Sequence, residues 1–135
     1  MTAVFPSMDW LNELDAKLNN DERYADLAKK WEGDITIVIE PEGNLKERTI
    51  FYLDLWHGKC RGVAKLNDPA EKQATFVLSA TYENIKRIMT GKLDPMQAML
   101  TRKLSVKGNM AVMMRSVPTV LDFVRCAREI TNEIL

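Results

Sequence analysis

Between Asp34 and Ala80 apolar residues recur at every second position in four successive stretches, and this period of two puts a sheet at the centre of the chain. Ile35, Ile37 and Ile39 alternate with Asp34, Thr36, Val38 and Glu40, and Pro41-Glu42-Gly43-Asn44 then supplies turn residues. Residues 48–56 carry Phe51, Leu53 and Leu55 on one side and Ile50, Tyr52, Asp54 and Trp56 on the other, so neither side is purely solvent-facing. His57-Gly58-Lys59 turns the chain into a weaker strand at 61–66, which Asn67-Asp68-Pro69 stops. A fourth strand at 74–80 sets Phe76, Leu78 and Ala80 against Thr75, Val77 and Ser79.

The flanking segments have the helical period instead. Ser7 is placed to cap a helix with Leu11, Leu14 and Leu18 on its apolar side and Trp10 beside Leu14. Asn19-Asn20-Asp21 breaks it and starts a second helix, in which Tyr24, Leu27, Ala28 and Trp31 fall at i, i+3, i+4, i+7 before Gly33. After the sheet, Thr81 caps a helix bearing Ile85, Ile88 and Met89, and Gly91 ends it. Asp94-Pro95 is an N-cap followed by a first-turn proline, opening a helix with Met96, Met99 and Leu100 on its apolar side. Residues 104–108 suit a short fifth strand, Met110, Met113 and Met114 share one side of a short helix, and Pro118 stands near the start of a last helix running towards Leu135. With no repeat, linker or low-complexity tract, residues 1–135 read as one α+β domain: helices covering one face of a mainly antiparallel sheet.

A chain of 135 residues buries about two-thirds of its unfolded surface and needs neither metal nor disulfide to fold. Its formal net charge is zero, which gives no general attraction to nucleic acid. The charge is uneven, however: residues 1–80 hold 10 Lys+Arg against 14 Asp+Glu, and residues 81–135 hold 9 against 5. No stretch approaches the ~20 apolar residues of a membrane span. The amino terminus lacks the features of a signal peptide, and Glu133-Ile134-Leu135 is not a peroxisomal signal. Two well-separated cysteines, Cys60 and Cys126, fit a reducing compartment, so a cytoplasmic location is expected.

Catalytic patterns are missing. The single histidine, His57, sits in a hairpin turn, with only Cys60 nearby as a nucleophile. Lys59 and Arg61 flank Cys60, but a small residue at a strand start explains it better than a lowered thiolate does. One histidine and two distant cysteines do not make a zinc site. Gly91-Lys92 lacks the first glycine and the hydroxyl of a phosphate loop, and Asp9 with Glu13 reads as a solvated helix face. We therefore expect no catalytic residue, metal or cofactor, and a protein that is not an enzyme.

The distinctive chemistry is methionine, with five of the eight lying between residues 96 and 114. Unbranched, polarisable methionine repacks around irregular shapes and suits loosely selective binding walls, although most methionine stripes are ordinary core. The last helix adds weight. Val120, Phe123, Ala127, Ile130 and Ile134 form one seam, and Val117, Leu121 and Val124 widen it. Packing on a domain requires only a stripe of about 100°. The excess calls for a second partner: a ligand, another subunit or a membrane surface.

Residues 91–115 resemble the sterol carrier protein type 2 family. Gly91-Lys92, Asp94-Pro95, Ala98, Lys103-Leu104, the alternating Ser105-Val106-Lys107 and Gly108-Asn109 all stand at the spacings of its pattern. The strand from Thr75 to Ala80 and the Thr81 cap suit it too, so the resemblance is strong over 74–117 and rests on element order over 30–66. It implies a five-stranded sheet, covering helices, and a hydrophobic tunnel between them that takes fatty acids, acyl-CoA, phospholipids or sterols without chemistry. The expected tunnel lining is Met96, Met99, Leu100, Met110, Met113, Met114, Val117, Val120, Leu121 and Val124. Arg115 and Arg125 flank that wall and are candidate headgroup cations. The partners expected are an apolar small molecule and, transiently, a membrane surface. The same wide helix also suits an assembly protein that docks a partner, or a second copy as a homodimer.

Overall fold

The computed structural model describes residues 3–135, with Met1 and Thr2, where the reading of the amino terminus begins, outside the described residues. Its elements run β1 (Val4–Phe5), α1 (Met8–Asn20), α2 (Glu22–Leu27), β2 (Ile35–Glu40), β3 (Thr49–Trp56), β4 (Lys59–Leu66), β5 (Phe76–Thr81), α3 (Tyr82–Met89), α4 (Pro95–Leu100), β6 (Ser105–Lys107), α5 (Met110–Arg115), α6 (Val117–Ile130) and β7 (Glu133–Ile134). The main sheet has five strands in the order β4-β3-β2-β5-β6. All neighbours are antiparallel except β2 and β5, which the crossover through residues 67–75 makes parallel.

Local chemistry accounts for most boundaries. The Ser7, Asp21, Thr81, Asp94 and Asn109 side chains each accept from a first-turn N–H, capping α1 to α5 in turn. His57 and Gly58 both have positive φ, 49° and 78°, the signature of a two-residue hairpin turn. The turn is thus shorter than the three residues expected, and Lys59 and Cys60 join β4, which starts two residues before position 61. Gly108 leaves β6 at φ 134°, where a Cβ would lie 2.6 Å from the Phe76 ring. The second helix is shorter than its apolar period suggests: α2 stops at Leu27, and Trp31 turns inward to stack near Phe76 and donate to the Gly33 carbonyl.

Helices cover one face of the sheet. Phe51, Leu53 and Leu55 of β3 bury against Leu11, Leu14 and Leu18 of α1, with Trp10 stacked on Phe51 at 5.8 Å. The Asn19 side chain pairs with both backbone groups of Cys60, at 2.9 Å each, and fixes the end of α1 to β4. The ends of the described chain are joined by the parallel pair β1–β7. Helix α6 rests mainly on α1 and α2, touches α3, α4 and α5 less, and extends Val120, Phe123 and Val124 towards the core over the sheet.

The opposite face carries a smaller cluster, Val38, Ile50 and Leu66, flanked by Tyr52, Ala64 and Val77. Lys72 lies over the Tyr52 ring at 5.0 Å and covers that end, whereas the β5–β6 end is open. Thr36 is fully buried in the sheet, and its hydroxyl has no hydrogen-bond partner. An orphaned buried hydroxyl costs stability that an isosteric methyl does not. Thr36→Val should therefore raise unfolding free energy by about 1 kcal/mol in urea denaturation; a variant less stable than wild type would mean that the hydroxyl is satisfied.

Candidate functional site

The helical layer leaves a gap over the centre of the sheet. Ile37 and Leu78 face each other across the parallel β2–β5 register, on the face that the helices cover. Their neighbours on that face, Ile35, Ile39, Phe76 and Ala80, are buried, yet Ile37 and Leu78 are only half-buried. The space above them is an apolar chamber of about 100 Å³. Phe5, Trp10 and Phe51 close one end, Ile85, Ile88 and Met89 of α3 and Met99 of α4 form the sides, and Val120, Phe123 and Val124 of α6 form the roof. Every side chain lining it is of an apolar type, and such a cavity excludes water.

A second chamber of about 40 Å³ adjoins it, sharing Leu78, Met99, Val120 and Phe123 and adding Tyr24, Trp31, Leu55 and Met113. Thr119 and Trp31 of this chamber also line an outer vestibule of about 410 Å³ with Leu27, Lys29, Lys30, Arg115 and Pro118. Thr119 donates to the Leu27 carbonyl at 2.8 Å on this boundary. The three spaces form a sequence from a dry interior to a basic exterior. They are not an open tunnel: the inner two are smaller than the ~300–1,000 Å³ of a ligand-sized pocket.

Among the residues expected to line a tunnel, Met99, Val120 and Val124 line the main chamber and Met113 the second. Met96 is buried in the surrounding core, and Met110 and Val117 pack against it half-buried. Leu100, Met114 and Leu121 point outward, at 60%, 37% and 42% exposure, because α4, α5 and α6 each turn only one side to the core. The strand and aromatic contributions, Ile37, Leu78, Phe51, Trp10 and Phe123, were absent from the expected set. Strand alternation for Ile37, Phe51 and Leu78, and helical spacing for Trp10 and Phe123, mark them as core-facing, but no local pattern distinguishes a covered core position from an uncovered one.

The two candidate cations part company. Arg115 is exposed on the vestibule. Arg125 is not at a mouth: it donates to Asp122 at 2.7 Å, Asp21 at 2.6 Å and Glu129 at 2.9 Å, and three carboxylates leave it no charge for a headgroup. Lys17 joins through Asp21 and Glu129, and Arg23 through the buried Asp122. This network ties α6 to α1 and α2. The Arg125 hydrogen bond, with the Tyr24 N–H, holds the Asp21 carboxyl well below its usual range, and Lys17 and Arg125 lower Glu129. Asp21, Asp122 and Cys126 offer three atoms within 4.8 Å of one another, but the guanidinium already supplies the cation there. Burial pushes the Cys60 thiol up to about 12 and the Cys126 thiol up to about 11, so neither is a nucleophile near neutral pH. His57 pairs with Glu32 at 2.7 Å on the surface, away from every chamber.

The sequence from residue 11 to 120 matches the model of the SCP-2 sterol transfer family. The chain belongs to this family. A sterol carrier protein 2 crystal structure superposes with a TM-score of 0.83 at 29% identity, covering 93% of this chain and 98% of that one. A protein from Thermus thermophilus, described as possibly a sterol carrier protein, gives 0.83 at 29%, over 93% of this chain and 88% of its own. Sterol carrier protein 2 from Yarrowia lipolytica, in its apo form, gives 0.62 at 21%, over 92% and 93%, and shows the shared fold. A comparison with curated proteins finds no match. As an SCP-2 domain, the chain is a binder of apolar lipids, and among its described residues no helix is long and apolar enough to cross a membrane.

Two outcomes follow for the network. Arg125→Met leaves Asp122 buried with only Arg23, at 3.3 Å, and should cost about 3 kcal/mol in urea denaturation; a loss under about 1 kcal/mol would show that the clamp is dispensable. With folded-state pKa values depressed, Asp21 and Glu129 contribute fully above about pH 5 and lose their contribution as pH falls below it. Hydrogen exchange should show α6 amides losing protection below that pH before those of β2 and β3 do.

Proposed function

We propose that this SCP-2 domain carries one lipid, with the apolar chain between the sheet centre and α6 and an anionic head in the Arg115 vestibule. The observation that carries the reading is the half-buried Ile37–Leu78 pair, central in the sheet but without close cover. A core that only had to be stable would fill that space, since each missing methyl-sized volume costs about 1 kcal/mol.

Binding then requires the chambers to enlarge, and α6 is the wall that moves. Val120, Phe123 and Val124 are half-buried, so little tight packing is broken when the roof lifts. Met89, Met99 and Met113 can change rotamer around the entering chain. Apolar walls discriminate chain length by only about 0.8 kcal/mol per methylene, so selectivity for the tail is loose. Selectivity for the head falls to Arg115 with Lys29 and Lys30, against a single carboxylate, Asp26, which lies 3.7 Å from Lys29. Carriage involves no chemistry. Leu100, Met114 and Leu121 stand exposed on α4, α5 and α6 and suit brief contact with a membrane surface during exchange.

Val120→Trp should fill the chamber and weaken binding of a fluorescent fatty acid at least tenfold with the circular dichroism spectrum retained. Leu121→Glu, on the outer side of the same helix, should leave equilibrium affinity unchanged. The reverse result would place the ligand on the outer surface. Wild type should bind a fatty acid better than its methyl ester at low salt, and Arg115→Gln should narrow that gap; equal affinities for the two in wild type would remove the vestibule from the site.

A further inference from the structure

A wide concavity lies on the other side of the sheet from the lipid chamber. It is an open groove of about 620 Å³ along β5 and β6, floored by Val38, Val77 and Ser79. Arg102, Lys103 and Lys107 line it, and none of the three is in an ion pair among the described residues. The one carboxylate in the lining, Glu40, is already paired with Arg48 at 2.7 Å. Hydroxyl donors stand among these cations: Ser79 on the floor and Ser105 on β6. Asn84 donates to the Lys103 carbonyl at 3.3 Å, holding the loop that carries two of the cations against α3. Part of the basic excess of the carboxy-terminal region is therefore gathered in one concave place.

We propose that this groove binds a small, soluble, phosphate-bearing anion, separately from the lipid. Three unpaired cations with hydroxyl donors between them match a group carrying two or more negative charges and several acceptor oxygens. The volume falls in the range of small-molecule sites. No aromatic side chain lines the groove, so it offers no platform on which a nucleic-acid base would stack. The floor lies on the sheet, with Ser79 below the Arg102–Lys103 loop, and a flat bilayer engages such a rim better than such a floor. Because the five-stranded sheet separates the groove from the chamber, the two ligands do not compete for space.

The test is a titration of the full chain with inorganic pyrophosphate, followed by amide nuclear magnetic resonance. Saturable shifts centred on Ser79, Ser105 and Lys107 are expected. The K103E/K107E variant, altered only at exposed positions, should bind at least tenfold more weakly and keep its fluorescent fatty acid affinity. Non-saturating shifts shared with Lys29, Lys59 and Lys65 would overturn the proposal, as would a K103E/K107E variant that binds pyrophosphate like wild type. A groove that ignores pyrophosphate but holds phosphatidylglycerol vesicles over phosphatidylcholine ones would be a membrane surface and not a soluble-anion site. Loss of fatty acid binding in wild type would refute the lipid reading alone and leave this one standing.

Discussion

Arg125 of α6 donates to Asp21 at the junction of α1 and α2, and its intrahelical partners Glu129 and Asp122 meet Lys17 of α1 and Arg23 of α2, so α6 is fastened along one side to both. A helix held in this way does not have to be pressed onto the sheet to stay in place. Its buried Asp122 and Cys126 lie on the fastened side, while Val120, Phe123 and Val124, half-buried, overhang the sheet beside the buried Ala127. The bond that crosses between helices, Arg125 to Asp21 at 2.6 Å, joins two largely buried side chains, so it is screened less than a surface pair. The division between a charged fastening and a loosely packed overhang is what leaves a space over Ile37 and Leu78.

The sheet supplies the other half of the arrangement. Parallel pairing of β2 with β5 brings Ile37 and Leu78 side by side at the middle of the layer. Around this pair, α1 packs over β4 at one edge and α3 packs against β2 and β5 themselves. Aromatic packing among Phe5, Trp10 and Phe51 closes one end, and Trp10 also donates to Thr131 at 2.8 Å, just beyond the end of α6. The far end of α6 is thus tied by Trp10, whereas at its start the Thr119 hydroxyl, on the Leu27 carbonyl, stands between the inner space and the vestibule. Opening at that start would enlarge both chambers together, since Val120 and Phe123 line both.

How far this is legible in the sequence depends on the range of each interaction. Alternation locates every strand of the main sheet within about two residues, and cap residues locate the starts of α1 to α4, because both signals are local. The carboxy-terminal end of α2 departs from the apolar period because Trp31 answers to Phe76 and Gly33 and not to the helical spacing that includes it. The methionine stripe identifies an apolar region but not its empty part: Met99 and Met113 line the chambers, while Met114 faces solvent. Arg125 reads as a free cation flanking the apolar wall although Asp122 and Glu129 stand at i−3 and i+4, a spacing that already suggests pairing. Asp21, its most distant partner in sequence, is brought close only by the fold. Ile37 and Leu78 carry no local mark at all, because being uncovered is a property of the assembled layer.

The most direct test places the ligand against those two residues. A protein with labelled isoleucine, leucine and valine methyls, loaded with a ¹³C-labelled long-chain fatty acid, would report nuclear Overhauser contacts between the acyl methylenes and individual side chains. The account predicts contacts from the chain to Ile37, Leu78, Val120 and Val124 at once. Contacts confined to the outward-facing Leu100 and Leu121, with none to Ile37 or Leu78, would contradict it.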